Sequence, residues 1–207
     1  IFDLDNTLHH ANPQVFPHIN RAMTRYLQTE LGLDEAAANQ LRLDYWQRYG
    51  ATLTGLMHNH GTDPEHFLWH THQFPELRRM LLADGMLRHT LRRLPGRKLL
   101  FTNGPQHYAT AVLAELGIAD LFCDVIAIQT VAYRPKPYPH GYRYILRRHG
   151  LRPAQCVMIE DSAINLVTAK RLGMRTVWLT REHGLPPYVD WRIARLGELT
   201  RIVGQLR

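Results

Sequence analysis

Two aspartates near the start of the chain, Asp3 and Asp5, are the residues most clearly able to take part in a chemical reaction. They end a short apolar stub that begins at Ile1, and a polar turn follows them at once. Because neighbours i and i+2 in a strand point to the same side, both carboxylates can reach one point beyond the end of the strand. Open α/β sheets bind their ligands there. Two carboxylates at that place suit a Mg²⁺ ion and a covalent step.

A hydroxyl and an amide, Thr102 and Asn103, form the second group of interest. They follow a predicted strand over residues 98–101 and precede Gly104. A hydroxyl and free backbone N–H groups at the entrance of a helix can cradle a phosphate. A helix-capping turn explains the same residues equally well.

A lysine and an acidic pair complete the set. Lys136 lies between two prolines, which fix the local backbone, and a rigidly presented ammonium can neutralise a phosphoryl oxygen. Glu160 and Asp161 end a predicted strand and supply oxygen ligands for a divalent cation. Purely structural alternatives exist for both groups: Lys136 could be a surface lysine in a proline-rich loop, and the acidic pair could cap a helix N-terminus. Because all four groups occur in order, each just past a strand, we favour the chemical interpretation.

Alternating strands and helices position these groups. The apolar pattern predicts strands over 98–101, 124–128, 156–159 and 175–179, and helices over 106–116, 140–149 and 162–172. A glycine follows each helix, which is the usual C-terminal stop. Repeated βα units with continuous apolar strands predict a parallel sheet covered by helices on both faces.

Residues 12–87 differ from the rest, because their apolar residues recur at helical spacing and no convincing strand is present. We therefore predict an α/β protein with two parts. A Rossmann-like, parallel-sheet catalytic core comprises residues 1–11 and 88–207, and an all-helical cap subdomain, residues 12–87, is inserted after the first strand.

Composition limits the classes of partner. The chain has 207 residues, of which 45% are hydrophobic and 21% charged, as in ordinary globular proteins. No apolar run approaches the roughly 20 residues that span a bilayer. The net charge of +7 permits nucleic-acid binding, but the arginines are scattered along helical patterns. We expect a small-molecule substrate, with no nucleic acid polymer, no membrane and no protein partner.

The cysteines and the chain start give two further expectations. Cys123 and Cys156 lie in apolar runs, which predicts buried, reduced thiols and a cytoplasmic location. The chain begins at Ile1, without a methionine and inside a predicted strand, which predicts that a few N-terminal residues are missing.

The four groups together resemble the motif set of the haloacid dehalogenase-like (HAD) hydrolase superfamily: Asp-x-Asp, then Thr or Ser, then Lys, then an acidic pair. The resemblance implies the HAD fold, a Mg²⁺ cofactor and an aspartyl-phosphate intermediate. It makes Asp3 the nucleophile, Asp5 the general acid/base and Lys136 the charge stabiliser.

The same resemblance assigns binding roles. Thr102 and Asn103 would bind the transferring phosphoryl group. Mg²⁺ would be held by Asp3, the backbone carbonyl of Asp5 and Asp161. Glu160 would either bind the ion directly or contact one of its ligands. Since Asp3 would contact both Mg²⁺ and a lysine, we expect its pKa to be depressed.

Within the superfamily, two segments resemble the pyrimidine 5′-nucleotidase family. They are Tyr49–Leu56 and residues 94–98 running into Phe101-Thr102-Asn103. If the first segment lines a pocket, Tyr49 could stack on a base and Thr52 could hydrogen-bond its edge; a plain helix–helix turn is the alternative. The prediction is a Mg²⁺-dependent phosphomonoester hydrolase for small nucleoside monophosphates. The alternatives are a phosphatase for sugar phosphates or phosphoglycolate, and a catalytically silent binding protein.

Overall fold

The chain forms two compact units in the computed structural model, which describes residues 1–206. The smaller unit is Ala11–Met80, and the larger unit combines Ile1–His10 with Leu81 and the described residues after it. Residues 81–87, which we expected in the insertion, thus belong to the larger unit. Within that unit, the backbone N–H of His10 donates to the carbonyl of Leu82 over 2.7 Å. A cap role for the smaller unit stays a prediction.

The smaller unit is helical throughout its regular elements. Its helices are α1 (Val15–Leu31), α2 (Glu35–Tyr49), α3 (Thr52–His60), α4 (Pro64–Thr71) and α5 (Leu77–Met80). The side chain of Asp34 caps α2 by accepting a hydrogen bond from the N–H of Ala37. Helices α2 and α3 pack closely, because a Cβ added at Gly55 would lie 2.4 Å from the ring of Tyr45. Only glycine permits this approach.

The larger unit contains parallel strands. They are β1 (Leu99–Phe101), β2 (Asp124–Ile126), β3 (Val157–Glu160), β4 (Arg175–Leu179) and β5 (Trp191–Ile193). β1 pairs with β2, and β3 pairs with β4, which pairs with β5. Phe2 makes parallel bridges with both Leu100 and Ile159. The start of the chain therefore lies between the two groups of strands, at the centre of the parallel array.

Helices follow β1, β2, β3 and β5, whereas the segment between β4 and β5, residues 180–190, contains no helix. The helices of this unit are α6 (Leu87–Arg93), which precedes β1, α7 (Gln106–Glu115), α8 (Pro139–Arg148), α9 (Ala163–Arg171) and α10 (Leu199–Ile202). Leu100, Ile126 and Val177 are completely buried in the strands, and Leu166 is completely buried on α9. The predicted fold class, a Rossmann-like parallel-sheet core with an all-helical insertion, is confirmed.

One detail differs from expectation. Cys123 is exposed, although Cys156 is buried, and both cysteines are free. Cys123 directly precedes β2, where its N–H donates to the carbonyl of Lys98 while its side chain remains outside the core. Among the described residues, no helix is both long enough and apolar enough to cross a bilayer.

Candidate active site

The predicted chemical groups lie at the carboxyl ends of neighbouring strands. Asp3 follows Phe2, and its backbone N–H donates to the carbonyl of Ile159 over 3.0 Å. Thr102 directly follows β1, and Glu160 is the last residue of β3. Because parallel strands end at the same edge, residues distant in sequence meet there.

A buried ion triad is the centre of this edge. The Nζ of Lys136 lies 2.5 Å from Oδ1 of Asp3 and 2.7 Å from Oε2 of Glu160. The side chains of Lys136 and Glu160 are each 1% exposed, and that of Asp3 is 8% exposed. The ammonium also lies 5.3 Å from the ring centroid of Phe101. Lys136 is therefore a buried charge partner, and the surface-lysine alternative is wrong.

An acidic cluster adjoins the triad. Asp3, Glu160 and Asp161 can each place one carboxylate oxygen so that the three oxygens lie within 4.8 Å of one another. Only one ammonium, that of Lys136, faces these three acids among the ion pairs of the described residues. A surplus of carboxylates with oxygen ligands suits a hard divalent cation such as Mg²⁺. The donor set therefore fits the predicted metal.

Asp161 is held in place by its neighbours. The indole Nε1 of Trp178, on β4, donates to the backbone carbonyl of Asp161 over 2.8 Å. The side chain of Asn6 hydrogen-bonds to the Asp161 carboxylate. Asn6 has a φ of 60°, a left-handed conformation that asparagine tolerates better than most residues.

Burial dominates the electrostatics of the triad. Burial raises the pKa of Asp3 to about 7; the Glu160 carboxylate adds to this rise, and the Lys136 ammonium opposes it. Burial likewise raises the pKa of Glu160 to about 7, again against Lys136. Desolvation of Asp3 thus outweighs its contact with Lys136. The expected depression of the Asp3 pKa assumed contact with both Lys136 and Mg²⁺ and stays a prediction. Although burial disfavours the ammonium, the two carboxylates raise the pKa of Lys136 above its ordinary value.

Asn103, in the loop after β1, is hydrogen-bonded to the loop that holds Lys136. Its Oδ1 accepts from the backbone N–H of Lys136 over 2.7 Å, and its Nδ2 donates to the carbonyl of Lys136 over 3.3 Å. The hydroxyl of Thr102 accepts from the backbone N–H of Gly104 over 2.9 Å. Asn103 therefore positions the lysine backbone, a contact that the sequence did not reveal. The predicted phosphate-binding roles of Thr102 and Asn103 stay predictions.

Asp5 has partners different from those of Asp3. Its Oδ1 accepts a hydrogen bond from the hydroxyl of Tyr108 over 2.5 Å and lies 3.0 Å from Nε2 of His9. Burial and the charge of Asp5 raise the pKa of Tyr108 above its ordinary value, so the phenol stays protonated and donates. Sequence reasoning missed Tyr108 and His9, because Tyr108 is distant in sequence and residues 5–9 form a turn without a helical pattern.

The predicted substrate residues Tyr49 and Thr52 lie in the smaller unit. Tyr49 is half-buried at the end of α2, where Arg48 lies 5.3 Å from its ring centroid and Asn59 donates to its hydroxyl. Thr52 is buried at the start of α3, and its hydroxyl donates to the carbonyl of Arg42. The proton of Thr52 is therefore engaged within the unit, while the ring of Tyr49 is partly accessible.

Comparison with known proteins identifies the class. Residues 1–173 match the haloacid dehalogenase-like hydrolase family, so the chain belongs to that family. Solved structures agree on the fold. The HAD phosphatase from Thermococcus onnurineus superposes with a TM-score of 0.71 at 24% identity, covering 98% of this chain and 96% of that one. The L-2-haloacid dehalogenase from Xanthobacter autotrophicus gives a TM-score of 0.64 at 18% identity, covering 100% and 98%.

Sequence relatives carry more specific names. Phosphate metabolism protein 8 of Saccharomyces cerevisiae is 30% identical over 188 residues, covering 84% of this chain. A phosphoglycolate phosphatase of Rhodospirillum rubrum is 30% identical over 212 residues, covering 96% of this chain and 84% of that protein. The chain spans only 58% of the yeast protein's length, and 52% of that of a validoxylamine A 7′-phosphate phosphatase from Streptomyces hygroscopicus.

Proposed function

We propose that this protein hydrolyses small phosphomonoesters through an aspartyl-phosphate intermediate, with pyrimidine nucleoside 5′-monophosphates as the preferred substrates. One observation carries the proposal: two carboxylates only two residues apart have separate environments. Asp3 contacts Lys136 beside the acidic cluster, whereas Asp5 contacts Tyr108 and His9. Different surroundings let two identical groups take different roles.

The roles follow from these contacts. A carboxylate oxygen of Asp3 attacks the phosphorus atom, the bond from phosphorus to the leaving oxygen breaks, and Asp5 gives its proton to that oxygen. Asp5 then takes a proton from a water molecule that attacks the phosphorus, which releases phosphate and restores Asp3. Lys136 neutralises charge on the phosphoryl oxygens throughout. Water is the only other reactant in the two steps.

The acidic cluster is proposed to hold Mg²⁺. The ligands would be Asp3, Asp161 and the backbone carbonyl of Asp5, with Glu160 as a further acid nearby. When bound, the ion would neutralise charge on the phosphoryl group and favour the ionised form of Asp3. The carboxylate of Asp5 contacts Tyr108 and His9, which supports a ligand role for its backbone rather than its side chain.

Mg²⁺ should stabilise the protein more at about pH 8 than at about pH 5.5. Asp3 and Glu160 have raised pKa values of about 7, so the stability they contribute is complete at low pH and is lost as pH rises through about 7. Binding of the ion requires the ionised acids and offsets their repulsion. At about 100 times Kd, we expect the melting temperature near pH 8 to rise by about 5–10 °C.

Two variants make this calorimetric measurement specific. Asp161→Asn should remove most of the shift, whereas Asp120→Asn, at an exposed ion pair with Arg88, should keep it. EDTA should also stop hydrolysis, and added Mg²⁺ should restore it. Equal melting temperatures with and without Mg²⁺ near pH 8, together with full activity in EDTA, would exclude the metal site.

The nucleotide preference rests on the smaller unit. Tyr49 offers a partly accessible aromatic ring beside the guanidinium of Arg48, which suits a base. The second candidate, a phosphoglycolate or sugar phosphate phosphatase, is favoured by the 30% identity with the Rhodospirillum rubrum enzyme over 96% of this chain. A silent binding protein is disfavoured because Asp3, Asp5, Lys136 and Asp161 are all present.

A substrate panel separates the candidates. We expect UMP and CMP, or their deoxy forms, to give higher kcat/KM than AMP, GMP, phosphoglycolate and several hexose phosphates. Tyr49→Leu should lower kcat/KM for UMP about tenfold, because stacking of a base on an aromatic ring is worth about 1–3 kcal/mol. It should leave phosphoglycolate hydrolysis unchanged.

The control for Tyr49→Leu is Trp69→Leu, another aromatic residue of the smaller unit, 57% exposed. This variant should behave as the wild type with every ester. If phosphoglycolate or a hexose phosphate leads the panel by about tenfold or more, the nucleotidase proposal is wrong and the second candidate replaces it.

A further inference from the structure

Asp5 is held through one oxygen only. The Tyr108 hydroxyl, on α7, and Nε2 of His9 both contact Oδ1, at 2.5 Å and 3.0 Å. Within residues 1–206, no side chain or backbone group hydrogen-bonds to Oδ2, and the Asp5 side chain is 16% exposed. Two donors on one oxygen fix the plane of the carboxyl group. They leave the other oxygen available for a transferable proton.

The contact with Oδ1 of Asp5 explains why a histidine occupies position 9. The ring is buried, and its Nδ1 has no hydrogen-bond partner among the described residues. Because the Tyr108 proton is directed at Asp5, Nε2 of His9 must carry a proton to contact Oδ1 favourably. An unpaired buried nitrogen is unfavourable, and an apolar side chain would fill the space without this cost. Packing alone therefore does not account for a histidine here.

The backbone of the loop after β1, at Gly104, leaves room for the Tyr108 ring. A Cβ added at Gly104 would lie 3.1 Å from Cδ1 of Tyr108 and 3.3 Å from Oγ1 of Thr102. Glycine at this position lets the ring lie against the loop after β1 with its hydroxyl directed at Asp5. The loop and the acid are thereby linked through one buried side chain.

We propose that Tyr108 and His9 are positioning residues that orient Asp5 so that Oδ2 delivers a proton to the leaving oxygen. This inference rests on the proposed phosphomonoester hydrolysis and adds to it the groups that control its acid. Tyr108 and His9 do not contact the phosphoryl group themselves. Their effect should depend on how much the leaving oxygen needs a proton.

The dependence on the leaving group gives the test. An alkyl phosphate loses a strongly basic alkoxide and needs protonation, whereas p-nitrophenyl phosphate loses a stable phenolate and does not. Tyr108→Phe removes only the hydroxyl. We expect it to lower kcat/KM at least about tenfold for the fastest alkyl phosphate of the panel, since general acid catalysis is worth about 100-fold or more. For p-nitrophenyl phosphate, kcat/KM should stay within about twofold of the wild type.

His9→Leu removes the second donor. It should also lower kcat/KM for the alkyl phosphate and not for p-nitrophenyl phosphate, but by a smaller factor than Tyr108→Phe. It also carries the test if Tyr108→Phe fails to fold, as judged by circular dichroism. Tyr144→Phe is the matched control, because its hydroxyl contacts Arg148 on α8, away from Asp5. This variant should leave kcat/KM for both esters unchanged.

The outcomes separate this inference from the proposed function. Equal losses on both esters, or no loss on either, would overturn the positioning role while wild-type hydrolysis preserves the proposed function. A wild-type protein that hydrolyses neither ester would refute the proposed function, and the positioning role with it. Loss confined to the alkyl ester supports both.

Discussion

Asparagine in place of Asp3 is expected to abolish phosphate release, by roughly 10⁴-fold or more, while the fold persists. The two side chains have almost the same shape, but an amide is a poor nucleophile and a weak ligand for Mg²⁺. The amide oxygen can still accept a hydrogen bond from Lys136. Because burial raises the pKa of Asp3 to about 7, a neutral group is tolerated at this position.

The measurement is kcat with the best ester of the panel, beside a thermal melt of the same sample. Asp120→Asn, an exposed acid of the larger unit, serves as the matched control and should keep full activity. Acid-quenched wild-type protein should carry a phosphoryl group that Asp3→Asn lacks, detectable by mass spectrometry. Near-wild-type turnover in Asp3→Asn would remove the covalent mechanism.

Methionine in place of Lys136 should cost both activity and stability. The substitution leaves Asp3 and Glu160 buried without their ammonium, and breaking a buried ion pair in this way costs about 3–5 kcal/mol of unfolding free energy. The acids can avoid the penalty by taking up protons, and their pKa values are already raised to about 7 beside Lys136. We therefore expect a larger loss of stability at about pH 8 than at about pH 5.5.

Urea denaturation at both pH values, without added metal, measures this difference. Lys170→Met is the control, because Lys170 pairs with Asp190 at a site where its side chain is 37% exposed. Partly exposed pairs contribute about 0–1 kcal/mol, so this variant should change little at either pH. A Lys136→Met protein as stable as the control at about pH 8 would contradict the buried triad.

The parallel core was predictable because its signals are local. Continuous apolar runs and glycine stops encode each βα unit over a few residues, and β4 has the predicted bounds, Arg175–Leu179. Strand β5 was missed. Its three residues, Trp191–Ile193, are too few to show a period. The segment is fixed by pairing with β4 and by Asp190, which accepts from the N–H of Thr176. Such distant contacts leave no pattern in a short segment.

The site was predictable in its charged groups and not in its aromatic ones. Asp3, Lys136, Glu160 and Asp161 follow or end recognisable elements, so topology alone brings them to one edge. Tyr108 and Trp178 hydrogen-bond to Asp5 and Asp161 from elements distant in sequence, and the direction of their side chains depends on how those elements pack. The catalytic and metal roles assigned to these residues stay predictions until the experiments above are done.

The backbone bond between His10 and Leu82 has a consequence for how such chains can change. It ties together the point where the chain leaves the larger unit and the point where it returns, at 2.7 Å. An insertion anchored at two adjacent points can lengthen, shorten or be exchanged at a small entropic cost, because its ends stay fixed. Asp3 and Asp5 precede this junction, and the remaining acids follow it. The length and sequence of Ala11–Met80 can therefore change without altering the residues proposed to perform the reaction.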